Sequence, residues 1–130
     1  MKPLPLAILL FLASPALAAD SSKLAPAAKA MDMMGDVSVM AHEGDERCAV
    51  VLFEDKVSEG YRLEVADGCA SAFPVMGKAK AWRVYTDRIV AFVDADGRDL
   101  IRFKGKGYTR YAVKNVDGID RIYSAQDVAE

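Results

Sequence analysis

A chain of 130 residues carries 17 basic and 19 acidic side chains, one histidine and two cysteines, for a formal net charge of −2. That balance excludes a nucleic-acid face, where clustered Lys and Arg supply most of the affinity, and offers no attraction to anionic membranes. The length is that of one domain, small enough for a cross-link to supplement its core usefully.

Residues 1–19 read as an export signal. Lys2 precedes an apolar run from Leu6 to Leu12, and Ala16-Leu17-Ala18 fits the small-residue cleavage pattern. The run is too short to span a bilayer, and no cysteine follows it to take a lipid. No later segment is apolar enough to cross a membrane. The product is therefore expected to be exported and soluble, beginning at Ala19 or Asp20.

Residues 20–35 form an N-terminal tail and a short helix. Asp20 to Pro26 is polar or small, without apolar period, and reads as exposed. Ala27 to Met34 favours helix and Gly35 is a good stop. At about two turns this helix is too short to stand alone and must pack on something.

From residue 36 to 130 the pattern is β. Val37 and Val39 alternate with polar neighbours, and Cys48 to Phe53 is an apolar run. Tyr61 to Val65 alternates cleanly, followed by Trp82–Tyr85, Ile89–Val93, Leu100–Phe103, Tyr108–Val113 and Ile119–Tyr123. Glu59-Gly60, Asp96-Gly97, Gly105-Lys106-Gly107 and Asp117-Gly118 supply turn chemistry between strands. About eight short strands with tight turns describe an all-β antiparallel meander, which at that number can close into an up-and-down barrel. An open sandwich is the alternative. Ser71 to Met76, with Phe73-Pro74, breaks the rhythm as a loop or a single helical turn.

Outside the cytosol two lone cysteines usually pair, so Cys48–Cys69 reads as a structural disulfide. Closing a loop of about twenty residues stabilises a small domain by roughly 3 kcal/mol on the chain-entropy model.

Candidate sites are few. His42 lies among Glu43, Asp45 and Glu46, but without a second histidine this is a solvated loop rather than a metal site. Asp94-Ala95-Asp96-Gly97-Arg98-Asp99 lacks the ligand spacing and closing glutamate of a calcium loop and reads as a hairpin turn. Trp82 is expected as an aromatic anchor of the core, and Met31, Met33 and Met34 as the residues that dock the short helix. No Ser-His-Asp set, spare thiol, phosphate-cradling loop or metal cluster stands out. The reading is therefore of a non-enzyme without cofactor or metal.

The order of these features is specific. An export signal, a Ser-Ser tail, a short helix ending in Gly35, Cys48, Cys69, Ala81-Trp82-Arg83, the Asp96-Gly97 turn and the Tyr108 strand follow one another. The whole mature chain thereby resembles the bacterial inhibitors of serralysin-type secreted zinc metalloproteases, the AprI/Inh family. Val37 and Val84 depart from its pattern, which usually has tryptophan at the first position and often proline at the second. The resemblance implies a periplasmic, monomeric, eight-stranded barrel with one disulfide. It also implies that the tail threads into the protease cleft towards the catalytic zinc. The matching protease-binding residues here are Ala19, Asp20, Ser21, Ser22, Lys23 and Leu24. Their six extended residues would reach roughly 20 Å.

Two other classes remain to be separated from it. A lipocalin-like carrier of a small molecule would need an apolar cavity of several hundred Å3 inside the barrel. An envelope interaction module would bind its partner without the tail.

Overall fold

The computed structural model describes residues 23–42, 46–105 and 107–125. Its strands are β1 (Gly35–Met40), β2 (Glu46–Val57), β3 (Gly60–Val65), β4 (Ala81–Val84), β5 (Val90–Val93), β6 (Asp99–Lys104), β7 (Thr109–Val116) and β8 (Ile119–Ser124). Each pairs antiparallel with the next and β1 pairs with β8, so the meander is a closed barrel rather than a sandwich. Closure leaves no long free edge to template aggregation.

Alternation decides what fills it. Successive side chains of a strand point to opposite faces, and the inward set is apolar. Val37, Val39, Val50, Leu52, Trp82, Val84, Val90, Phe92 and Phe103 are each at most 2% exposed. Burying one such Val, Leu or Phe stabilises by about 1.5–3 kcal/mol. Phe92 and Phe103 meet edge-on at 5.4 Å between ring centroids. The outward set of β4 and β5 is not wholly wet either: Ala81, Tyr85, Ala91 and Val93 form a second, small buried cluster.

Trp82 is fully buried, as an anchor of the core should be. Its indole N–H still needs an acceptor. β2 supplies one by bulging: Leu52 faces Leu63 but Lys56 faces Tyr61, and within this irregularity the Phe53 carbonyl accepts from Trp82 Nε1 at 2.9 Å. Arg62 packs its guanidinium 3.6 Å over the Phe53 ring and donates to Asp55 at 2.8 Å. Next to Trp82, Gly60 is obligatory for space. A Cβ there would lie 2.5 Å from the Trp82 carbonyl oxygen.

Each end of the barrel is covered by a short helical segment. At one end, helix α1 (Cys69–Ala72) and a 3₁₀ turn (Pro74–Lys78) join β3 to β4, with Cys69, Phe73 and Met76 buried. The expected loop or single helical turn is thus two short helical pieces. Cys48 and Cys69 are disulfide-bonded, tying this cover to β2. The Asp117 carboxylate accepts from the Val75 N–H at 2.6 Å, linking it to the β7–β8 turn.

The other end is covered by residues Ala27–Met33, where the expected short helix is present and ends one residue before Met34. The segment is 3₁₀, with Ala30 outside helical geometry at φ −130°, ψ 35°. The reason lies in what it buries. Ala27 at its start, Ala30 at the break and Met33 at its end are all buried, so the pieces on both sides of the break pack down on the barrel. Packing over the barrel mouth outweighs the α propensity of alanine across so short a segment. Only Met33 of the three methionines is fully buried; Met34 packs against the core while half-buried, and Met31 is exposed.

Candidate functional site

Of the proposed tail, Ala19, Asp20, Ser21 and Ser22 lie outside the described residues, and Lys23 and Leu24 lie within them. Those two are not loose. Leu24 forms an antiparallel bridge with Tyr85. The Ala25 N–H donates to the Val84 carbonyl and the Thr86 N–H donates to the Lys23 carbonyl, both at 2.9 Å. Residues 23–25 therefore lie as a short added strand beside the end of β4. Backbone pairing needs no particular side chain, and so Leu24 remains 56% exposed. Two of the six proposed tail residues, Lys23 and Leu24, are thus held against the barrel wall.

The pairing stops at Ala25, because the next N–H on that side of the tail, that of Ala27, lies beyond Pro26 and turns elsewhere. It donates to the Tyr61 hydroxyl at 2.9 Å. This satisfies a first-turn donor that no side-chain cap takes. The Tyr61 ring leans against Trp82 with centroids 5.1 Å apart, so the core anchor also positions the tail's support.

A groove of ≈ 520 Å3 runs beside this added strand, between Leu24 and Pro26 on one wall and Lys56, Val57 and Glu59 of the β2–β3 hairpin on the other. Arg83 contributes to its lining and donates through Nε to the Glu59 carbonyl at 2.6 Å. On the other side of Leu24 a second hollow, ≈ 370 Å3, is lined by Arg83, Tyr85, Arg98 and Asp99. Tyr85 donates its hydroxyl proton to Asp99 at 2.6 Å. Burial first, then that hydrogen bond, raises the Tyr85 phenol above its ordinary value of 10.0. Leu24 thus stands as an exposed apolar post between two hollows on the outer wall. The barrel interior, by contrast, is occupied by its own side chains, Trp82, Phe92, Phe103 and Leu52 among them.

The remaining candidates sit apart from this site. His42 is exposed at the opposite end, its Nδ1 3.9 Å from Asp120. In the β5–β6 turn the Asp94 carboxylate accepts from the Asp96 and Arg98 N–H groups, each at 2.9 Å. These bonds, the Arg98 one foremost, hold its carboxyl below the ordinary value of 3.8. The aspartate serves its own turn. Among the described residues no group of three His, Cys, Asp or Glu is placed to hold a metal ion.

Two residues that the sequence reading passed over meet at the cover that follows the tail. Arg110 is 1% exposed and donates through Nη2 to Asp32 at 2.7 Å, and Asp32 in turn accepts from the Gly107 N–H at 3.0 Å. The sequence pattern points the other way: in Tyr108–Val113 the apolar Tyr111 and Val113 share the phase opposite to Arg110, yet both are exposed in the barrel. Its partner, 78 residues earlier, gave no signal either.

A family model described as protease inhibitor Inh matches residues 27–124. No curated protein and no solved structure matches the chain.

Proposed function

The chain belongs to the protease inhibitor Inh family, and from that premise we propose that it is an exported, periplasmic inhibitor of a secreted zinc metalloprotease of the serralysin type. The observation that carries this reading is the strand-like pairing of residues 23–25 with the end of β4, beside a groove on the outer wall. It holds the point from which the tail departs, while the filled barrel gives no support to a carrier of small molecules.

Ala19 to Ser22 enter the protease cleft, and Lys23 and Leu24 stay at its mouth. A zinc peptidase keeps one coordination position for water. The neutral α-amine of the tail, or the Ser21 hydroxyl, displaces that water. When the terminal amine takes that position, no peptide bond spans the catalytic centre, so the tail occupies the site without being cut. Leu24 and the hairpin wall around Val57 rest on the cleft rim, where apolar contact adds to affinity. Because the tail's base is already ordered, less conformational freedom is lost on binding.

The test is a titration of the mature protein against a serralysin-type protease, beside forms lacking Ala19 to Ser22 or carrying an N-terminal tag. Tight stoichiometric inhibition lost in both altered forms is the expected result. Equal potency of the tagged form would overturn the mechanism. If the amine ligates zinc, affinity rises with pH through about 7.7–8.0, where an unperturbed α-amine loses its proton. A flat profile, after correction for the protease's own titration, would assign the contact to the hydroxyl instead.

A further inference from the structure

We infer that Arg110 is a positioning residue for the tail, a buried clamp whose two arms hold the two segments between which residues 23–26 are strung. The inference rests on the inhibitor reading above. One arm is Nη2, which donates to Asp32 in the 3₁₀ cover at 2.7 Å. The other is Nη1, which donates to the Arg88 carbonyl in the β4–β5 loop at 2.6 Å. That loop reaches the tail directly, because its Thr86 N–H donates to the Lys23 carbonyl. Downstream of the tail, the cover begins at Ala27 and carries Asp32. Both flanks of residues 23–26 therefore converge on a single guanidinium.

The loop needs holding. Arg88 has φ +71°, a left-handed conformation that side-chain-bearing residues enter at a cost, and its N–H donates back to Tyr85 at 2.7 Å. An arginine suits the task because its planar fork serves two acceptors at once, whereas a lysine ammonium presents one point charge. Both Nη atoms are engaged, and the buried Nε is left without a partner. An arrangement built only to neutralise the charge would not need the Arg88 carbonyl.

A merely structural ion pair would lower overall stability without moving the tail in particular, so the test reads the tail by itself. Amide exchange is measured by NMR at Ala25 and Thr86, whose N–H groups make the two bridging bonds, against amides of the β1–β2 ladder. The variants are Arg110→Met, which removes the buried charge, and Asp32→Asn, which alters a partly exposed partner and keeps the fold measurable if the first variant does not fold. In Arg110→Met, exchange at Ala25 and Thr86 is expected to rise about tenfold or more relative to the ladder. The inhibition constant should rise by a similar factor, and Asp32→Asn should shift both in the same direction by less. Unchanged exchange at both amides in a folded variant would overturn the clamp. Faster exchange with unchanged inhibition would overturn its role in positioning. If the unaltered protein inhibits no such protease, the inhibitor reading fails by itself, and the exchange data still decide whether Arg110 holds the tail.

Discussion

The two ends of the barrel are covered by the same device, a short helical segment over an apolar mouth, but they are fastened differently. Over one mouth the cover with Phe73 and Met76 is bound covalently to β2 through Cys48–Cys69. Over the other, Ala30 and Met33 are held by burial, one hydrogen bond from Ala27 to Tyr61, and the Asp32–Arg110 pair. The covalent end carries no candidate binding residue. The non-covalent end carries the tail. The first cover also has burial and the Val75–Asp117 hydrogen bond, so what separates the two ends is the covalent link, which the tail end does without.

If that division is real, changes at the two ends should separate stability from inhibition. The largest loss of stability belongs to Phe73→Ala, which empties a buried aromatic site and should cost about 3–5 kcal/mol in denaturant unfolding. Inhibition by the fraction still folded should be unaltered. Replacing both cysteines by alanine should cost about 3 kcal/mol and likewise leave inhibition intact at a temperature where the protein is folded. A fall in potency as large as that in stability would erase the contrast between the ends.

At the tail end the expected order reverses. Tyr61→Phe removes the acceptor of the Ala27 N–H while keeping the ring on Trp82. It should cost about 1 kcal/mol of stability, and the inhibition constant should rise beyond what the unfolded fraction explains. The smallest effect is Tyr85→Phe, at neutral pH. The Tyr85 phenol is raised in the folded state, so its contribution is complete below the unfolded value near 10 and is lost as pH climbs through the folded value. Stability against pH should thus fall less steeply above about pH 10 in Tyr85→Phe than in the unaltered protein. Parallel curves would remove Tyr85 from the alkaline transition.

The strands were legible because each repeats a simple alternation bounded by turn residues, as in Tyr61 to Val65 before Asp67-Gly68. β2 was read too short. Glu54, Asp55 and Lys56 are polar because the hairpin runs beyond the core, and so the apolar signal stops at Phe53 while the strand goes on to Val57. Composition announces a helix at Ala27–Met33 but neither its 3₁₀ form nor the break at Ala30, which no local pattern encodes. For the site, Lys23 and Leu24 were singled out, but their pairing with residues 84–86 was not. Backbone bridges leave no side-chain signature. Asp32 and Arg110 meet only after the barrel closes, so no local pattern announces them.

The Leu24–Tyr85 bridge also makes the chain a holder with an exchangeable tip. Its attachment runs through main-chain atoms, indifferent to the letters that come before Lys23. Different short sequences grafted ahead of that residue would leave the same handle at the same point. Under the proposed mechanism, retargeting becomes a matter of rewriting the residues ahead of Lys23, with the barrel kept as a common chassis.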